Sequence, residues 1–133
     1  MARTVAQYHA TTSADIQTAV DAALAALTNP TIRGLKINVR NLQRRIGREY
    51  NVLLTYDTGG SALATPFHMK LFEYATPEAL LTALQAYISG NSYFFAAPFL
   101  YVIDDTVHTP LYGAMLLYNT TTGASANFTP LNP

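Results

Sequence analysis

Ile16, Val20, Ala23, Leu24 and Leu27 recur at the spacing that fills one face of an α-helix. Thr12 or Ser13 can cap the N-terminus of that helix. Asp15 in its first turn suits the positive end of the helix dipole, and Asn29-Pro30 stops it. A second helix follows the same plan. Thr76 is the cap, Pro77 takes the tolerated first helical position, and Glu78 lies in the first turn. Leu80, Leu81, Leu84, Tyr87 and Ile88 form the apolar stripe, and Gly90 ends it.

The two helices superpose at a shift of 64 residues, with Thr12 on Thr76, Ile16 on Leu80, Val20 on Leu84 and Leu24 on Ile88. The same shift lays Tyr8 on Phe72 and Ala10 on Tyr74, in the short strands that enter each helix, and Leu35, Ile37 and Val39 on Phe99, Tyr101 and Ile103. At a shift of 62, Tyr50–Thr58 lies over Tyr112–Thr120, as expected if the second hairpin tip is two residues shorter. Each half therefore reads strand, helix, strand, strand. The fold class expected is α+β, a two-layer sandwich of two helices on an antiparallel sheet, built by tandem β-α-β-β duplication. The domain spans residues 1–118, with halves of about 1–58 and 62–118 joined by the Thr58-Gly59-Gly60-Ser61 turn. Residues 119–133 are polar and low in complexity, with Phe128 and Leu131 as apolar anchors, and read as an extended C-terminal arm.

Composition narrows the function. The 133 residues suit one domain with a real core. Half are hydrophobic, only 12% are charged and the formal net charge is zero, so the surface offers little electrostatic protection against self-association. The absence of cysteine excludes disulfide scaffolds, zinc ribbons and thiol catalysis. The N-terminus lacks the apolar stretch of a signal peptide, and the longest apolar run, Tyr93 to Ile103, is interrupted by Pro98 and too short to span a bilayer. A chain made in the cytoplasm, with no membrane partner, is expected.

Candidate chemistry is sparse. Asp57-Thr58-Gly59 after Val52-Leu53-Leu54 resembles the aspartic-protease signature, but that chemistry needs two carboxylates sharing a proton, and the second half has Asn119 in place of Asp57. An Asp-initiated turn is the expectation. His9, His68 and His108 show no metal-ligand spacing, although His9 and His68 both precede helices and could approach each other. Asp104-Asp105 reads as a turn, and the sequons at Asn119 and Asn127 as chance matches. No phosphate loop, nucleophile elbow or zincin helix is present. No enzyme, cofactor or metal is expected.

Charge clusters instead at the two hairpin tips. Arg40, Arg44, Arg45 and Arg48, with Lys36 upstream, surround the first, and Asp104 and Asp105 mark the second. Opposite tips can meet head to tail between subunits. Alternatively the arginine hairpin can hold nucleic-acid phosphates, with Tyr50 available for stacking. The Ala-Leu-Ala-Ala-Leu-Thr-Asn-Pro stretch (Ala23–Pro30) and the polar tail from Asn119 resemble the small structural proteins of tailed-phage virions. That resemblance implies a capsid, decoration, neck or tail component in the virion, bound to copies of itself or to other virion proteins. On this reading Arg40, Arg44, Arg45, Arg48, Asp104, Asp105, Phe128 and Leu131 are interface residues.

Overall fold

The computed structural model describes residues 2–41, 48–103 and 110–131. The order is β1 (Arg3–Ala10), α1 (Ser13–Ala25), β2 (Thr31–Asn41), β3 (Arg48–Asp57), β4 (His68–Tyr74), α2 (Pro77–Ser89), β5 (Phe95–Ile103) and β6 (Leu111–Asn119). The α+β class and the repeated β-α-β-β unit are as the sequence predicts. Each half forms its own three-stranded antiparallel sheet with the last strand in the centre, β1-β3-β2 in the first and β4-β6-β5 in the second.

Both helices begin as their caps dictate. The Thr12 hydroxyl accepts the Asp15 amide at 3.1 Å and the Thr76 hydroxyl accepts that of Ala79 at 3.2 Å. α1 stops at Ala25, ahead of Asn29-Pro30, and Asn29 then turns the chain with φ 46°.

The layers stack in an order that periodicity alone does not reveal. Ile16, Val20 and Leu24 of α1 pack on Leu35, Val52 and Leu54 of the first sheet, and Met69, Met115 and Leu117 of the second sheet close the same core. Burying each of these aliphatic side chains contributes about 1.5–3 kcal/mol. The other face of the second sheet, with Phe72, Ala114 and Leu116, carries Leu80 and Leu84 of α2. The second sheet is therefore covered on both sides, and Gly113–Leu117 of β6 are buried without a break. In β3 the corresponding residues alternate, with Val52 and Leu54 buried and Leu53 exposed, because among the described residues nothing covers the outer face of the first sheet.

The ladders also correct the alignment of the second strand of each half, β2 and β5. Leu35 lies opposite Leu54, and the residue opposite the equivalent Leu116 is Pro98, not Phe99. A bulge between Ile32 and Gly34 shifts β2 by one residue, so Leu35, Ile37 and Val39 match Pro98, Leu100 and Val102. Phe99 instead points into the core shared with the first half.

As far as Leu131, the expected C-terminal arm lies back on its own chain. A short 3-10 turn, Ala124–Asn127, leads Phe128 into a parallel bridge with Ile32. The amides of Thr129 and Leu131 donate to Ile32 and Arg33 carbonyls, each at 3.0 Å. The buried Asn127 side chain donates to the carbonyls of Pro30 and Ser61, tying the tail to the linker between the halves. There Gly60 donates to Asn29, and a β-carbon on Gly60 would collide with Thr31, Asn29 and Asn127. The Phe128 ring packs on Phe95 and Phe99, with centroids 5.1 and 6.2 Å away. Phe128→Ala should cost about 2 kcal/mol in urea unfolding, below the full core value because the ring is only partly buried, and should speed hydrogen exchange at the Thr129 and Leu131 amides.

Candidate functional site

Four polar clusters and two apolar surfaces are the places where chemistry or recognition could reside. Asp57 is the first. It closes the first sheet opposite Arg3 and Thr31, and its buried carboxylate accepts from Arg3 Nε (2.8 Å), Arg3 Nη2 (3.1 Å) and Arg33 Nε (2.7 Å). Hydrogen bonds from Arg3 and then Arg33 hold its pKa well below the usual carboxylate range. Two guanidiniums favour the anion over a shared proton, and Asp57 here ties Arg3 of β1 and Arg33 of β2 to the end of β3. Its counterpart Asn119 is fully buried and binds Thr65 and the Thr121 amide.

The second cluster joins the halves. Tyr50 of β3 donates its hydroxyl to both oxygens of Glu73 on β4, at 2.7 and 3.0 Å, and Tyr101 of β5 donates to the same carboxylate at 3.1 Å. Burial first, then the Glu73 carboxylate, pushes the Tyr50 pKa up to about 12, with Arg48 pulling the other way. Burial raises Tyr101 as well. The Tyr101 ring lies over Gly113, which faces it across the ladder and has no side chain to obstruct it. Tyr50 is only 2% exposed, so it is a bolt between the sheets and cannot stack on a base.

Each of the two described histidines takes its own carboxylate, and they do not form the pair that their sequence positions allow. His9 lies 3.3 Å from Glu49, which also holds Arg40 at 2.8 Å. His68 Nδ1 lies 3.1 Å from Asp21 on α1, and its ring stacks on Tyr118. Asp21 Oδ1 also accepts the Met69 amide at 2.9 Å, and Gln17 Oε1 accepts the Leu71 amide at 2.8 Å. Two side chains of α1 thus seal the outer edge of β4, a contact spanning about fifty residues of sequence that no local motif announces. Among the described residues no group of three or more metal-ligating side chains converges, and no helix is long and apolar enough to cross a membrane.

Of the residues expected at an interface, Arg40 is exposed but bound to Glu49, Arg48 lies near Tyr50, Phe128 is half-buried in its own chain, and Leu131 is exposed. Arg44, Arg45, Asp104 and Asp105, with His108, lie outside the described residues. Sequence reasoning passed over a different set. α2 packs chiefly on β4 and β6 and its cluster reaches β5 at Ala96, so Leu100 (73% exposed) and Val102 (58%) of β5 stay exposed, as does Leu81 (63%) of the helix. On the far side of the molecule Val5 (61%) and Leu53 (41%) project from the first sheet's outer face.

Searches of protein-family models, curated protein sequences and solved structures gave no match to this chain.

Two measurements test these clusters. Gly113→Ala should cost about 1–3 kcal/mol, because the new methyl falls inside the Tyr101 ring, and the penalty should largely vanish in a Tyr101→Ala background. Asp57 has a depressed folded pKa, so its stabilisation is complete above the unfolded carboxylate range near pH ~4 and is lost as pH falls toward its folded value. Asp57→Asn should lower stability at pH 7 and flatten this part of the acid slope, read from urea midpoints between about pH 7 and 2.

Proposed function

We propose that the protein is a structural subunit that acts through protein–protein contacts, in a virion as a capsid, decoration, neck or tail component. The observation that carries this reading is the uncovered apolar side of the second half, where Leu81, Leu100 and Val102 are each more than half exposed. Isolated exposed leucines are ordinary, but several in one half, on α2 and on the strand face that shares its side of the sheet, make a surface suited to a partner. The low charge and zero net charge favour association in the same direction. The setting rests on the likeness of composition and tail to small tailed-phage structural proteins. A nucleic-acid role for the arginine hairpin is the competing reading, and it has lost Tyr50 as a stacking platform.

Sedimentation velocity across a wide concentration range should reveal self-association into a defined oligomer or a growing series. Monomers at every concentration would count against it. Tight, steeply salt-dependent binding of a short oligonucleotide would favour the competitor instead.

A further inference from the structure

We infer that copies of this chain associate head to tail by repeating between molecules the contact that joins the halves within one. The inference rests on the assembly reading above and names its surface and its partner.

Inside the molecule, the first half presents α1 with β2 exposed beside it. The second half covers that surface by laying β4 against Gln17 and Asp21 and β5 against β2. The second half presents the same surface again, and among the described residues no third unit lies on it. Leu81 and Gln85 on α2 stand where Gln17 and Asp21 stand on α1, and Pro98, Leu100 and Val102 stand where β2 carries Leu35, Ile37 and Val39. Leu35 is 2% exposed and Ile37 and Val39 are half-buried, whereas Leu100 is 73% exposed. The missing cover is a third unit.

The opposite end of the molecule is that cover. The Thr58 amide donates to the Ala2 carbonyl, which fixes the phase of the β1–β3 ladder. Arg3–Asp57, Val5–Thr55 and Gln7–Leu53 are then the non-hydrogen-bonded pairs, and the Val5 and Gln7 amides point away from the sheet. Val5 and Gln7 occupy the positions of Met69 and Leu71, whose amides α1 receives. Among the described residues no side chain caps this edge of β1. Val5 and Leu53 supply apolar contact, and a depression of about 260 Å3 lined by Gln7, Lys36, Asn38, Asn51 and Leu53 lies beside them. The occupant of the α2–β5 surface is therefore the outer face of the first sheet of a second copy. Gln85 takes the Val5 amide as Asp21 takes that of Met69, and Leu81 replaces a polar contact with an apolar one. Such an interface is heterologous. It closes into a ring or grows as a helix according to the rotation relating one half to the next.

The test uses full-length chains. Leu100→Asp and Val5→Asp each change an exposed residue and should leave far-UV circular dichroism and thermal unfolding unaltered, while weakening self-association by about tenfold or more. Since the chain has no cysteine, single-thiol variants report direction. Val5→Cys mixed with Gln85→Cys should be joined by a short thiol–thiol cross-linker, and neither should cross-link efficiently to itself. Gln85→Cys or Leu100→Cys joined only to its own kind would overturn the inference in favour of a face-to-face dimer. Wild-type-like association of both aspartate variants would overturn it and leave the assembly reading standing. A wild-type chain that stays monomeric throughout removes self-assembly, and this surface with it.

Discussion

The closure of one half's sheet by the other half's helix is the contact on which this molecule depends. An edge strand carries a row of amides that must find partners or water, and β4 would be such an edge. Gln17 and Asp21 take its Leu71 and Met69 amides, while Ile16, Val20 and Leu24 of the same helix bury the apolar residues between the sheets. One helix thus does two things at once, and the halves cannot separate without exposing both kinds of group. The net value of two hydrogen bonds is modest, about 1 kcal/mol each, but leaving the amides dry and unpaired would cost more.

The Tyr50–Glu73–Tyr101 cluster performs a related task with a different chemistry. A carboxylate near the core is tolerable because two phenols donate to it, and those phenols come from opposite halves. Gly113 is part of the arrangement, since only a residue without a β-carbon lets the Tyr101 ring lie across the ladder. Asp57 and its two arginines fix the end of the first sheet by charge, whereas Asn119 fixes that of the second by neutral hydrogen bonds. Duplicated backbones have kept their shape while their polar fastenings diverged.

Much of this was legible from local pattern. Thr12 and Thr76 announced the helices, and the apolar stripes gave their buried faces. The agreement of Tyr50 with Tyr112 and Leu54 with Leu116 announced the repeat. What escaped depended on a single inserted residue or on distance. The bulge after Ile32 moved β2 by one position, so matching apolar residues placed Phe99 where Pro98 stands and hid the exposure of Leu100. The five-residue apolar run Gly113–Leu117, against the shorter run Val52–Leu54 bounded by Asn51 and Thr55, does carry part of the information that the second sheet is covered twice. The partners of Asp21, Glu73 and Asp57 could not be read at all, because each lies across a tertiary contact.

The parallel bridge between Ile32 and Phe128 has a bearing on biosynthesis. The first half holds its helix, its hairpin and its own sheet, yet the strand beginning at Thr31 receives its last backbone partners only when Thr129 and Leu131 arrive. During translation the early half emerges long before them, with Ile32 and Arg33 carbonyls and the Phe95–Phe99 side of the core still waiting. Completion of the first half must therefore await Phe128, Thr129 and Leu131, so its final packing is not available to the first half alone.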